Sequence, residues 1–216
     1  MALISLEGNI ACGKSTVLHH LSQESAWVVE PEQVEAWRPW LKAFYGQMQA
    51  PGTRIWRTLG LQVRILSSFR DVYCRYLKCG TGTLVERSPT SARHIFVENA
   101  KQKGHMDDLE VDLYDTLHTQ LGWTPRHHIY LRTTPEVVLA RCNQRSRPEE
   151  KAVSLQYLQE LHDLHEARYN AGGHPSPDTW CMRGNIIVVN ADLPAEQVLG
   201  HVRRILAIIT LREGTQ

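Results

Sequence analysis

One short run near the start of the chain, Gly8-Asn9-Ile10-Ala11-Cys12-Gly13-Lys14-Ser15, restricts the possible fold more than any other feature. It fits G-x-x-x-x-G-K-[ST] at every fixed position. An apolar stretch, residues 3–6, leads into it, and a helical pattern with Val17, Leu18 and Leu21 on one face leads out over Lys14–Ser25. Strand, glycine-rich turn and helix in that order form a phosphate-binding loop. Glycines let successive backbone N–H groups point inward, and the helix N-terminus adds partial positive charge. Lys14 can then reach outer phosphates and the Ser15 hydroxyl can ligate Mg²⁺. Neither D-x-x-G nor N-K-x-D occurs in the order a switch GTPase needs.

The rest of the chain repeats the alternation. Short apolar runs at 27–30, 83–86, 129–131 and 186–189 predict four further strands. Helical periodicity covers 33–48, 55–77, a segment opened by Ser88 and Pro89, 107–121, a segment opened by Thr134-Pro135-Glu136, 154–169 and 195–211. Residues 172–184, with three Gly and two Pro, read as a surface loop. Continuous apolar strands alternating with helices predict an α/β fold, a five-stranded parallel sheet covered on both faces. No boundary divides residues 1–216, so one domain is expected.

Composition narrows the class. A net charge of +1 gives no electrostatic reason to expect nucleic acid or an anionic membrane surface as partner. No apolar run reaches the roughly 18–20 residues needed to span a bilayer. Five scattered cysteines without C-x-x-C form neither a disulfide framework nor a zinc site. With strand-like sequence starting at Leu3, the expectation is a cytoplasmic protein. Trp40, Phe44 and Trp56 are expected in the core, and His162 and His165 on a helix surface or an interface. Asp107-Asp108 and Glu110 are expected at a solvated helix start, and Cys12 as a small filler within the loop.

A carboxylate just past the second strand, Glu32, borders the region facing the phosphate loop and could take a proton from an attacking hydroxyl. Around it stand Pro31-Glu32-Gln33-Val34-Glu35-Ala36-Trp37, Glu86-Arg87-Ser88 after the third strand, and Arg141, Arg145 and Arg147 with Glu149-Glu150 beyond the fourth. Together with the phosphate loop, this ordered series resembles the deoxyribonucleoside kinase family. The run from Glu86 to Asn99 is most similar to its pyrimidine-preferring branch, and the resemblance covers roughly residues 3–170.

The resemblance implies a three-layer P-loop kinase fold and an ATP-dependent kinase that uses Mg²⁺. Glu32 would be the general base for a nucleoside 5′-hydroxyl, with Arg87, Lys14 and Arg141 as further catalytic residues. Gly8 through Ser15, Thr16, and the lid arginines Arg141, Arg145 and Arg147 would bind ATP, with a lid over about 143–151. Asn190 and Asp192 would flank adenine, and Ser15 with Glu86 would hold Mg²⁺. Tyr45 and Glu150 would bind the sugar 3′-hydroxyl, Gln62 the base edge, and Trp37 and Phe96 the ring faces. Phe69 and Ala92 stand where the deoxycytidine-preferring branch carries Arg and Asp, so thymidine is expected first and deoxycytidine second. The family also implies a homodimer. A nucleoside monophosphate kinase and a non-catalytic nucleotide-binding protein are the alternatives left open.

Overall fold

A computed structural model of the chain describes residues 2–24, 27–48, 55, 57–147, 150, 152–170 and 180–214. In chain order the elements are β1 (Leu3–Glu7), α1 (Lys14–Glu24), β2 (Val28–Glu30), α2 (Val34–Met48), α3 (Thr58–Cys79), β3 (Thr83–Glu86) and α4 (Pro89–Ser91). There follow a π-helical segment (Ala92–Val97), α5 (Glu98–Gln102), α6 (Asp108–Leu121), β4 (His127–Arg132), α7 (Pro135–Arg145), α8 (Leu155–Tyr169), β5 (Trp180–Arg183), β6 (Ile186–Asn190) and α9 (Ala195–Gly214).

The strands form one sheet in the order β2-β3-β1-β4-β6-β5. All neighbours are parallel except β5, which runs antiparallel to β6. The sheet thus has six strands where sequence reading gives five. The sixth lies in the region read as a loop: Trp180–Arg183 pairs with Ile186–Val189, turning at Gly184, whose φ of 59° is left-handed. Residues 171–179 of that expected loop lie outside the described residues.

The central strands are apolar throughout because both faces are covered. Ile4, Leu6, Leu84, Ile129, Leu131, Ile187 and Val189 are fully buried. Helix α1 packs on α9, α3 on α2 and α6, and α8 on α7 and the π segment. Phe44 is buried as expected, whereas Trp40 is 37% exposed, its ring lying over Gly60. Trp56 lies outside the described residues. His162 and His165 are buried, not on the surface. His165 stacks on Tyr130 with ring centres 5.8 Å apart. Asp107 does cap a helix: its side chain accepts from the Glu110 N–H while Glu110 accepts from its own, both at 2.9 Å.

Parallel strands deliver their C-terminal ends to one edge, where crevices form between neighbours whose connections diverge. Glu7, Glu30, Glu86, Arg132 and Asn190 end their strands there, so the residues following them share one region. Among the described residues, no helix is long and apolar enough to cross a membrane.

Candidate active site

The loop after β1 has the backbone its glycines permit. Gly8 has φ 141°, and a Cβ there would come within 2.7 Å of both the Cys12 Sγ and the Leu131 carbonyl oxygen. Cys12 therefore fills the loop's interior at 1% exposure. Lys14 folds over the loop, its Nζ donating to the carbonyls of Gly8 at 3.0 Å and Asn9 at 2.8 Å. Asn9 donates in turn to the Leu158 carbonyl of α8 at 2.9 Å, tying loop to helix. Ser15 and Thr16, at the start of α1, are exposed and border the cavity described below.

Glu32, Glu86 and Arg87 meet opposite this loop. The Arg87 guanidinium is ion-paired with Glu32, donates to the Gly8 carbonyl at 3.3 Å, and lies 4.9 Å from the centre of the Phe96 ring. Burial works against its charge, but the carboxylates of Glu32 and Glu86 outweigh burial and hold its pKa above the ordinary arginine value. Ser15 Oγ donates to the Glu86 carboxylate at 3.0 and 3.3 Å. Burial and the neighbouring Glu32 raise the Glu86 pKa, with Lys14 and Arg87 pulling the other way. A buried carboxylate beside a hydroxyl, both oxygen donors, is a set suited to a hard cation such as Mg²⁺.

These groups open onto a cavity of about 980 Å³. Its wall includes the loop residues Ile10–Val17, Glu32, Glu86 and Arg87. It also includes Trp37, Tyr45, Gln62, Phe69, Ala92 and Phe96, from α2, α3 and the π segment. Gln62 is 4% exposed, and its side-chain oxygen has no hydrogen-bond partner among the described residues. Phe69 sits edge-on between Trp37 and Trp123, with ring centres 6.4 and 6.2 Å away, and the Trp123 indole N–H donates to its carbonyl at 2.8 Å. Burial, with Tyr157 and Glu150 nearby, pushes the Tyr45 phenol well above its usual pKa, so it remains a neutral hydroxyl.

The remaining predicted residues ring the mouth. Arg141 donates to the carbonyls of Cys12 at 3.4 Å and Ala191 at 3.0 Å, bridging the phosphate loop to the turn after β6. In that turn Asn190 accepts from the Asp192 N–H at 3.0 Å and Asp192 from the Thr134 N–H at 3.0 Å. The cavity wall there is Ala191 and Leu193, while the two polar side chains hold the turn together. Arg145 donates to both oxygens of Glu150 at 2.7 Å, and Arg147 lies 3.6 Å from the same carboxylate. Of the lid stretch 143–151, Pro148, Glu149 and Lys151 lie outside the described residues.

The sequence profile of the deoxynucleoside kinase family matches residues 4–206. The chain belongs to the deoxynucleoside kinase family. Among curated relatives, human mitochondrial thymidine kinase 2 is 32% identical over 216 residues, covering 96% of this chain and 74% of that protein. Mouse deoxycytidine kinase is 32% identical over 191 residues, 76% of this chain and 74% of that protein. The fold matches a solved structure of deoxyadenosine kinase from M. mycoides with TM-score 0.76 at 18% identity, covering 94% of this chain and 98% of that one. The chain is thus a phosphotransferase of this family, with a nucleotide phosphate donor and a nucleoside acceptor.

Sequence reasoning missed several groups that shape the site. Leu41 and Ile65 also line the cavity wall, and their only signal was helical spacing. The π-helical turn at Ala92–Val97 has no compositional signature. Glu7 is wholly buried behind the loop, with Ser88, His128 and Ser5 around it.

Proposed function

We propose that this enzyme transfers the γ-phosphoryl group of ATP to the 5′-hydroxyl of a pyrimidine deoxynucleoside, thymidine first and deoxycytidine second. The observation that carries the reading is the Glu32–Arg87 pair. It stands between the phosphate loop, through Arg87 and the Gly8 carbonyl, and the aromatic cavity that Gln62 helps to line.

Glu32 accepts the proton of the 5′-hydroxyl as its oxygen bonds to the γ-phosphorus. The bond from that phosphorus to the β-γ bridging oxygen breaks, and ADP leaves. Arg87, Lys14 and Arg141 place positive charge around the equatorial oxygens, where charge must be offset in a reaction that depends on positioning. Ser15 and Glu86 would hold Mg²⁺, which would supply charge neutralisation at the phosphate oxygens. Arg145 and Arg147 close over the phosphates and exclude water, while the Ala191–Leu193 turn borders the donor base. Tyr45 and Glu150 bind the sugar 3′-hydroxyl.

Base selection follows from the chemistry of the wall. The Gln62 amide offers one acceptor and two donors and can turn to meet either thymine or cytosine. Ala92, at 2% exposure, leaves room for a 5-methyl group, and Phe69 offers it an apolar edge. At the other end, where the 5′ group would sit, the Glu32 carboxylate favours a neutral hydroxyl over a phosphate-bearing acceptor. Steady-state kinetics with thymidine, deoxycytidine, deoxyguanosine and thymidine monophosphate test the assignment. Thymidine should give the highest kcat/KM; a purine preference or faster use of the monophosphate would overturn it.

The homodimer is proposed on α6, where Leu109 and Leu113, one turn apart, are 82% and 49% exposed. Light scattering should give twice the chain mass of 24.7 kDa, and a single-chain mass at micromolar concentration would refute it.

A further inference from the structure

The turn that carries Arg87 is gripped on both sides by the end of β1. The Arg87 N–H donates to the Leu6 carbonyl at 3.0 Å. One residue further, Ser88 Oγ donates to Glu7 Oε1 at 2.6 Å, in a contact with no solvent exposure. Between these two bonds the Arg87 backbone is left-handed, with φ 61°. A non-glycine residue leaves that region unless its surroundings hold it, and such strain collects where a side chain must be aimed.

We propose that Glu7 and Ser88 are positioning residues: their hydrogen bond holds the left-handed Arg87 turn and so aims the guanidinium at Glu32 and the phosphate loop. The inference rests on the catalytic role of Arg87 proposed above.

The chemistry of the clamp favours this over simple filling. Glu7 is fully buried, and its second oxygen has no hydrogen-bond partner among the described residues. A carboxylate in that position costs free energy that an apolar side chain would not. His128 Nδ1 lies 3.6 Å from the paired oxygen and 2.9 Å from Ser5 Oγ, so the carboxylate is backed by β1 and β4 together. Burial alone would raise the Glu7 pKa; His128, Ser88 and Ser5 bring it to about 2, which keeps the strong acceptor charged. Ser88 is also the N-cap of α4, its side chain facing the Ser91 N–H in a capping box, so the cap needs a control of its own. Ser91 Oγ accepts from the Ser88 N–H at 3.4 Å and donates to the Ser88 carbonyl at 3.1 Å.

Ser88→Ala tests the proposal, because it removes the hydroxyl without adding volume. We expect kcat to fall by about tenfold or more, since small misplacements of an aligned group are costly. KM for nucleoside and ATP should stay within about twofold. Ser91→Ala, which weakens the cap of the same helix, should leave kcat within about twofold. In an Arg87→Ala background, measured by single turnover, adding Ser88→Ala should change kcat by less than about twofold, because the clamp then has nothing to aim. Full multiplicative losses in the double variant would overturn the proposal, since they would mean general loosening. A wild-type kcat for Ser88→Ala beside a slow Arg87→Ala would overturn it alone; a wild-type kcat for Arg87→Ala would overturn the role of Arg87 as well. If Ser88→Ala fails to fold, Ser88→Cys, near in shape but a weak donor, carries the same measurements.

Discussion

Glu32→Gln should lower kcat by about 10²- to 10⁴-fold, the range expected when a positioned general base is lost. That corresponds to about 3–5.5 kcal/mol in the barrier. The substitution is nearly isosteric, and a glutamine carbonyl can still accept from Arg87, so the geometry between phosphate loop and aromatic cavity should persist. The variant should therefore bind ATP and thymidine within about threefold of the parent, with the loss confined to the chemical step. Single-turnover rates with saturating Mg-ATP check this. A variant that turns over at the parent's rate would remove Glu32 from the mechanism. One that loses nucleoside binding and rate together would make it a binding residue instead.

Glu150→Ala should reduce kcat/KM for thymidine by about 10²-fold while KM for ATP moves by less than about threefold. The prediction has two parts, because Glu150 already holds Arg145 and lies near Arg147. Losing the carboxylate removes the proposed partner of the 3′-hydroxyl and also frees two cations beside the phosphates. A 3′-deoxynucleoside separates these effects. The parent enzyme should discriminate strongly against it, whereas the variant should use it and thymidine almost equally well. Equal losses toward ATP and thymidine would show that the residue serves only to order the lid arginines.

How much of this could be read from residues alone depended on the kind of physics involved. The loop from Gly8 to Ser15 was legible because backbone curvature demands glycine at fixed spacing. The central strands were legible because burial on both faces leaves uninterrupted apolar runs such as Ile186–Val189. β5 was not: Trp180, Cys181 and Met182 are only partly buried, and the strand follows a Gly- and Pro-rich stretch, so its pairing leaves little trace in composition. His165 was misread because an imidazole is as common on a surface as in a core. Here burial pushes its pKa down to about 3, so it packs as a neutral ring. Glu32, Glu86 and Arg87 became candidates through the ordered resemblance, since single charged residues at strand ends have many uses. The Glu7–Ser88 contact joins residues 81 positions apart and could be found only in three dimensions.

The two outer strands have a consequence for behaviour at high concentration. An exposed strand edge is a template on which another chain can add itself. This sheet ends in β2, three residues long, on one side and β5, four residues long, on the other. On β2, Glu30 is clamped by Arg75 through two hydrogen bonds of 2.8 and 2.7 Å, which sets a charged pair on that border. β5 returns antiparallel and ends in the exposed Arg183, so the longer parallel strand β6 presents no free ladder of its own. Short, charge-bearing borders give an incoming strand few hydrogen bonds to form. Strand β5, which sequence reading assigns to a loop, thus guards the molecule against self-templating.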